Sequence, residues 1–356
     1  MLSFNRTLQF PFKYKVPIHI NAYLLKVGLY KRFLKYFKRY LYVLIKRQKK
    51  CEIFLINPNH KKILWINISA PSLGDSLMDL SSREMLKGRK VDLFTDVKNC
   101  HLYMDDQFFN DVYTKFSEVK SVTYDLVIID SYSTRSIKVK SKIAPKTKYV
   151  GMFGYFNGPE VNRILFSFHQ LNHLLGYIKS ESEINNLAKS SISISRTDQA
   201  LVKKIIPKDY IVIVVGGDWG YKTFTNWGKL IEKITQDDSE IRIVLVGSKN
   251  ALILTDKLLN QFSKNIFLNL VDKLTFNQTA EVIRQSKIVF CCDGGLMHAA
   301  NATGANIVSL FARLTPEILL TKKSTSNNLF DKEDVNNIPV QEIFQKYYEN
   351  KKNIYY

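Results

Sequence analysis

The sequence predicts an α/β protein with two doubly wound domains and a basic helical segment ahead of them. Short apolar runs alternate with amphipathic stretches in both halves of the chain, as in parallel βαβ units. Several of these runs end in loops that contain glycine, and the length of 356 residues suits two cores better than one. We expect domains at 58–190 and 191–330, an N-terminal extension at 1–57 and a helical tail at 331–356.

The composition indicates which classes of molecule the protein is expected to bind. The formal net charge is +20, although the hydrophobic share of 46% and the charged share of 24% are those of an ordinary folded protein. Such a charge favours a nucleic acid, a membrane surface or a phosphorylated substrate. A nucleic-acid partner is not expected, since only the net charge supports it. The four cysteines show no CxxC spacing, so neither a zinc site nor a disulfide framework is predicted.

The charge is concentrated at the start of the chain, where thirteen Lys and Arg residues precede the first acidic residue, Glu52. Residues 22–46 predict an amphipathic helix, because apolar side chains recur at steps of three and four. These side chains are Leu25, Leu29, Phe33, Phe37, Tyr40 and Leu44. A basic, aromatic helix suits the headgroup layer of an anionic membrane. The alternative is a helix packed on the body of the protein. Neither a signal peptide nor a transmembrane helix is expected.

The first half predicts strands at 63–68, 91–95, 125–130 and 148–151, with helices at 76–86 and 166–175. Residues 71–75 are predicted as the loop between the first strand and the first helix. The second half predicts strands at 210–215, 241–246, 288–291 and 307–310, with helices at 227–234, 277–286, 296–303 and 340–348. The join lies within 178–207. Ligands of such sheets bind beyond the carboxyl ends of the strands, so both sets of loops should face a central cleft.

A compact motif follows the predicted strand at 288–291. Asp293, Gly294 and Gly295 form a tight turn that leads into a helix, and His298 lies in its first turns. Free N–H groups at a helix start bind phosphate well, and glycines let a ligand approach the backbone. Asp293 could cap the helix or bond the ligand. The alternative is a capped structural helix with a core histidine.

The run DGGLMHAANATGANIVSLF at 293–311, followed by Thr315-Pro316, resembles the hallmark of glycosyltransferase family 9. Its best-known members are the lipopolysaccharide heptosyltransferases. The resemblance implies a GT-B fold, with two Rossmann-like domains facing a central cleft. It also implies that Asp293, Gly294, Gly295 and His298 hold the diphosphate and sugar of the donor.

A second match lies in the first domain, where Ser72-Leu73-Gly74-Asp75 resembles the Leu/Ile-Gly-Asp loop of the family. The resemblance implies that Asp75 is the general base and that Ser72 and Gly74 form the acceptor loop. A carboxylate in this role needs hydrogen-bond reach to the acceptor hydroxyl. The alternative is that Asp75 only caps the helix.

Two further matches concern the donor. The loop that begins at Gly216 resembles a donor-binding loop of the family, in which Lys222 and Phe224 match a lysine and an aromatic residue. The resemblance implies that Gly216 and Lys222 bind the donor. Lys222 could neutralise the departing diphosphate, or it could be a solvated surface lysine. Leu274 falls where the family places an apolar residue against the nucleoside base.

The chain also departs from the family at Gly217, Asp218 and Asn250. These departures keep alternatives open: a non-catalytic sugar-nucleotide-binding or membrane-scaffold protein, or a sugar-nucleotide epimerase of the same fold.

The sequence as a whole therefore predicts an inverting sugar transfer from a nucleotide-sugar, with ADP-heptose as the candidate donor, to an anionic glycolipid of lipopolysaccharide type. No metal and no resident cofactor are expected. We expect a cytoplasmic protein attached through its basic N-terminus to the inner face of the bacterial inner membrane.

Overall fold

The computed structural model describes residues 28–119, 122–153, 162–321 and 327–355. The chain divides into two compact units, residues 1–189 and 190–356. Each unit contains one parallel sheet with helices, as the sequence predicts. The first residues of the predicted N-terminal helix, 22–27, lie outside the described residues.

The first unit has five described strands in the order β3-β2-β1-β4-β5. The strands are β1 (Lys62–Asn67), β2 (Lys90–Thr95), β3 (Val112–Tyr113), β4 (Leu126–Ile129) and β5 (Tyr149–Gly151). The helices are α1 (Leu29–Ile45), α2 (Leu73–Asp79), α3 (Val97–Cys100), α4 (Phe116–Val119), α5 (Thr134–Ile143), α6 (Arg163–Leu174) and α7 (Glu181–Leu187). Short 3-10 turns lie at Lys49–Cys51 and Ser81–Leu86.

Strand β1 lies at the centre of this sheet and pairs in parallel with β2 on one side and β4 on the other. It is buried at every position after Lys62, which explains why it reads as a continuous apolar run. The strand order reverses between β1 and β4. In open parallel sheets, ligands bind at this switch point, beyond the carboxyl ends of the strands.

Helix α1 packs against α5 and buries Tyr36 and Val43 in the core of the first unit. The segment after α1 is also tied down, because the ammonium of Lys140 donates a hydrogen bond of 2.6 Å to Oε1 of Gln48. Lys140 lies 4.9 Å from the ring centre of Tyr149, and burial lowers the pKa of its ammonium to about 8. The extension and the body therefore share one core in the described part of the chain.

The second unit has six described strands in the order β11-β10-β9-β6-β7-β8. The strands are β6 (Tyr210–Val214), β7 (Arg242–Val246), β8 (Phe267–Asn269), β9 (Val289–Cys292), β10 (Ile307–Ala312) and β11 (Asn328–Asp331). The helices are α8 (Arg196–Ile205), α9 (Trp227–Asp237), α10 (Leu252–Gln261), α11 (Phe276–Gln285), α12 (Gly295–Thr303), α13 (Pro316–Leu319) and α14 (Val340–Tyr355). Short 3-10 turns lie at Gly220–Lys222, Lys249–Ala251, Lys264–Ile266 and Val335–Asn337.

The strand order of this sheet reverses between β6 and β9, which places its switch point between their carboxyl ends. The C-terminal helix α14 is longer than the sequence indicates and packs against α9. Its Ile343 and Tyr347 belong to the core of the second unit. The segment predicted as a helical tail is therefore a structural part of that unit.

One predicted boundary is wrong in a way that matters for the site. The sequence predicts a loop at 71–75 and a helix from 76, but α2 already begins at Leu73. The helix starts early because the hydroxyl of Ser72 accepts a hydrogen bond from the backbone N–H of Asp75. Asp75 consequently lies in the first turn of a helix.

The described part of the chain contains no helix with the length and apolar character needed to span a membrane.

Candidate active site

The switch point of the second sheet brings two predicted donor residues into contact. Lys222 lies in the 3-10 turn that follows β6, and Asp293 follows β9. Their side chains form an ion pair from which solvent is largely excluded. Asp293 does not cap α12, because Gly294 occupies the cap position and no side chain caps that helix.

The start of α12 has room for a ligand. Among the described residues, a Cβ built on Gly294 would have within 4 Å the carbonyl oxygen of Cys292, at 3.9 Å, and a Cβ on Gly295 would have the ring of Phe276, at 3.8 Å, so both glycines have space beside them. His298 is buried one turn into the helix, where its backbone N–H bonds the carbonyl of Gly294 at 3.2 Å. The start of α12 thus combines space beside its glycines with a first turn that no side chain caps, as a phosphate site requires.

The loop after β6 is held by close backbone contacts. Gly216 has a φ of +87°, and a Cβ there would lie 2.9 Å from the Cβ of Ala251, so both conformation and space require glycine. A Cβ on Gly217 would lie 2.7 Å from the carbonyl oxygen of Lys222. Asn250 donates a hydrogen bond of 3.0 Å to the carbonyl of Gly217. Two departures from the family pattern, Gly217 and Asn250, therefore stabilise the loop that carries Lys222.

Leu274 lies just before α11. It is half-buried and packs against a core cluster of the second unit, a cluster that includes Met297 of α12. Its predicted place against a nucleoside base remains a prediction.

Sequence reasoning missed two residues on this edge. The guanidinium of Arg313 stacks over the ring of Tyr221 at 3.7 Å from its centre, and the ammonium of Lys222 lies 5.8 Å from the same centre. Arg313 directly follows β10, with a φ of +67° that is unusual for a residue with a side chain. Its backbone N–H bonds the carbonyl of Asp331. The position of a cationic side chain directly after a strand is the sequence feature that could have indicated Arg313 as a site residue.

The switch point of the first sheet is organised by a buried carboxylate that the sequence did not single out. Asp130 follows β4 and accepts hydrogen bonds from the N–H groups of Ile68, Ser69 and Ser131 at 2.8, 2.6 and 2.6 Å. The hydroxyl of Ser136 donates to it at 2.6 Å. Burial raises the pKa of Asp130, while these hydrogen bonds act against that rise. The carboxylate thereby joins the loops after β1 and β4.

Asp75 is half-buried beside this switch point, in the first turn of α2. Its carboxylate accepts hydrogen bonds from the hydroxyl of Ser72 at 2.6 Å and from Nη1 of Arg163 at 2.6 Å. The capping residue is Ser72, so the alternative in which Asp75 itself caps the helix is wrong. Gly74 is buried in the same turn.

Arg163 also binds Asp79 in a two-pronged contact, with Nε to Oδ1 at 2.9 Å and Nη2 to Oδ2 at 2.7 Å. Burial raises the pKa of Asp79 to about 7, and the charge of Arg163 acts in the opposite direction. No local sequence pattern indicates that Arg163 and Asp79 belong to the site, because Arg163 lies 88 residues after Asp75 in the sequence.

These features define a protein with two parallel α/β units, each of which gathers polar and charged side chains at the switch point of its sheet. Across the described ranges, no group of three or more His, Cys, Asp or Glu side chains is placed to hold a metal ion.

Comparison with known proteins then identifies the family. Residues 155–347 match the family model described as glycosyltransferase family 9 (heptosyltransferase). The chain belongs to glycosyltransferase family 9, and it is a glycosyltransferase. A search of curated protein sequences finds no match.

Three solved structures share the fold. The ADP-heptose lipopolysaccharide heptosyltransferase II of E. coli is 15% identical, with a TM-score of 0.66 over 82% of this chain and 99% of that chain. A family 9 glycosyl transferase from Veillonella parvula is 13% identical, with a TM-score of 0.69 over 84% and 99%. The E. coli heptosyltransferase WaaC, solved with ADP-2-deoxy-2-fluoro heptose, is 16% identical, with a TM-score of 0.58 over 81% and 99%. At these identities the likeness shows the fold, which is that of the GT-B heptosyltransferases.

Proposed function

We propose that the protein is an inverting glycosyltransferase that moves heptose or a related sugar from a nucleotide donor to a glycolipid of lipopolysaccharide type. The observation that carries the proposal is the contact of Lys222 with Asp293 at the switch point, beside the uncapped start of α12. ADP-heptose is the candidate donor, because two of the similar E. coli structures are named for ADP-heptose or hold an analogue of it.

On the donor side, the diphosphate would lie against the first N–H groups of α12, where the helix dipole favours an anion. Lys222, held by Asp293, would neutralise the charge that develops on the diphosphate as the sugar leaves. His298 would contact the same group from the next turn. Arg313, stacked on the neighbouring Tyr221, would supply a second cation.

On the acceptor side, Asp75 would accept the proton of the acceptor hydroxyl as that oxygen attacks the anomeric carbon. Attack from the face opposite the nucleotide inverts the configuration of that carbon. The proton ends on Asp75, and the electron pair of the broken bond leaves with the nucleotide diphosphate.

A membrane-anchored acceptor calls for attachment of the enzyme to a membrane, and α1 has a surface suited to it. With about 100° between successive residues, its side chains fall on three faces. Tyr36 and Val43 are buried on one face. The next face is apolar, and its side chains are 43% to 73% exposed. We call it the apolar face of α1, and it consists of Tyr30, Phe33, Leu34, Phe37, Leu41, Leu44 and Ile45.

The third face of α1 carries exposed lysines next to the apolar face, namely Lys31, Lys35 and Lys38, and the exposed Lys46 directly follows the helix. Apolar side chains flanked by cations fit the interface of an anionic bilayer, where the rings enter the acyl boundary and the ammonium groups meet phosphate. The buried face of α1 belongs to the core cluster that contains Ile66 and Ile129, near the carboxyl ends of β1 and β4. We therefore propose attachment to the cytoplasmic face of the inner membrane, with α1 on the unit that carries Asp75.

The test is a transfer assay with the full chain, ADP-heptose and a lipopolysaccharide-type glycolipid, in which ADP release and sugar incorporation are both measured. The proposal predicts that the two are equal and that both require the acceptor. ADP release without the acceptor would instead favour a hydrolase or epimerase. Binding of ADP-heptose with no turnover would favour a non-catalytic protein.

A further inference from the structure

We infer that Arg163 is the positioning residue of Asp75: anchored by Asp79, it holds the Asp75 carboxylate in the orientation in which it meets the acceptor. This inference rests on the proposed function, in which Asp75 is the general base. No motif of the family hallmark described above contains Arg163.

The geometry of Arg163 is fixed from several sides. Its Nε and Nη2 are bound by the two oxygens of Asp79, whose side chain is almost fully buried. Its guanidinium lies 5.4 Å from the ring centre of Phe153, and this ring stacks on Phe166 at 5.1 Å between centres. Two-pronged Arg–carboxylate contacts are strong and directional. The remaining nitrogen, Nη1, therefore has a defined direction, and it donates a hydrogen bond to Oδ1 of Asp75.

Arg163 supplies the positive charge for a group of acidic side chains. Three carboxylates, Asp75, Asp79 and Asp130, interact with it electrostatically. Arg163 is the cation in contact with both Asp75 and Asp79. Other charged groups near α2 are directed elsewhere, since Lys98 donates to the carbonyl of Pro71 and Arg83 pairs with Asp106.

The contacts also leave Asp75 able to work as a base. Arg163 binds Oδ1, and the hydroxyl of Ser72 binds Oδ2. Each carboxylate oxygen has two lone pairs, so both oxygens can still accept a further hydrogen bond. A carboxylate fixed at both oxygens can receive the acceptor hydroxyl with little reorganisation.

The experiment measures kcat and KM separately for the full chain, with ADP-heptose and a lipopolysaccharide-type glycolipid. Because a misplaced catalytic group can cost about 10²-fold in rate, Arg163→Gln should lower kcat by about that factor while KM for the glycolipid stays nearly unchanged. Arg163→Lys keeps the charge but cannot bind Asp79 through two nitrogens while it contacts Asp75, so it should recover only part of the lost kcat. Donor affinity, measured by titration with ADP, should be unchanged in both variants.

The matched control is Arg135→Gln. Arg135 also pairs with an aspartate of the first unit, Asp96, but it is largely exposed, and its removal should leave kcat unchanged. If Arg163→Gln keeps the wild-type kcat, or if it raises KM for the glycolipid instead of lowering kcat, the inference is overturned. If Arg163→Gln does not fold, Arg163→Lys decides, because an unaltered kcat in that variant also overturns it. Failure of the proposed function looks different, since the wild-type chain would then show no acceptor-dependent transfer.

Discussion

Phe33 and Phe37 on the apolar face of α1 allow the strength of membrane attachment to be worked out. Their rings stack on each other at 6.2 Å, and each side chain is 51% exposed. Full burial of a phenylalanine stabilises by about 1.5–3 kcal/mol, so moving the exposed half of each into lipid contributes about 1 kcal/mol. Since 1.4 kcal/mol corresponds to tenfold, Phe33→Ser with Phe37→Ser should weaken binding to anionic vesicles about 30-fold.

The assay is co-sedimentation of the full chain with vesicles that contain 30 mol% anionic lipid, compared with purely zwitterionic vesicles, at about 0.15 M and about 1 M salt. High salt should weaken the wild-type interaction, because the contribution of the exposed lysines is screened. The matched control is Ile253→Ser, since Ile253 is 76% exposed on the second unit and should not alter binding. If the double variant bound vesicles as tightly as the control, or if the wild-type chain ignored anionic vesicles, the membrane account would be refuted.

Three further predictions concern single side chains. Lys222→Met should weaken ADP binding about 10- to 100-fold in a titration, because a hydrogen bond to a charged group contributes about 1.5–3 kcal/mol. The control Lys229→Met, on an exposed surface of α9, should leave the affinity for ADP unchanged. Equal affinities of the two variants would contradict the donor site. Arg313→Gln should weaken ADP but not adenosine, and an equal loss for both would exclude a contact with the diphosphate. Lys140→Met should leave the free energy of unfolding in urea unchanged or higher at pH 7, because Lys140 is buried with its charge. The unfolded chain keeps that proton up to its ordinary pKa of 10.5 and the folded chain only to about 8, so the wild type should gain stability relative to the variant between those pH values. Lys138→Met, on the exposed side of α5, keeps Lys140 and should show the same pH dependence as the wild type; loss of that dependence in Lys138→Met as well would contradict this.

The sequence predicted the features that depend on residues close together in the chain. The strands β1, β6 and β9 are visible because they are buried on both faces and read as apolar runs. The donor loop at Asp293 is visible because its turn, glycines and helix are adjacent in the chain. The pairing of Lys222 with Asp293 followed from the fold, since strands that neighbour each other at the switch point bring their loops together.

What the sequence could not supply depends on distant parts of the chain. The contact of Arg163 with Asp75 joins residues 88 positions apart, and only the packing of α6 on α2 brings them together. Helix α1 also depends on a distant part of the chain. Its amphipathic pattern was readable, but its aromatic residues divide between two faces: Tyr36 is buried, whereas Phe33 and Phe37 are exposed. Which face packs is decided by α5, not by α1 itself.

The most direct test of the account is the stereochemistry of transfer and its dependence on Asp75. The full chain is incubated with ADP-heptose and a lipopolysaccharide-type glycolipid, and the anomeric configuration of the new linkage is determined by NMR. The account predicts a single product with the configuration opposite to that of the donor. It also predicts that Asp75→Asn lowers kcat about 10²–10⁴-fold while the affinity for ADP is kept. A product that retains the configuration of the donor, or near-normal turnover by Asp75→Asn, would contradict it.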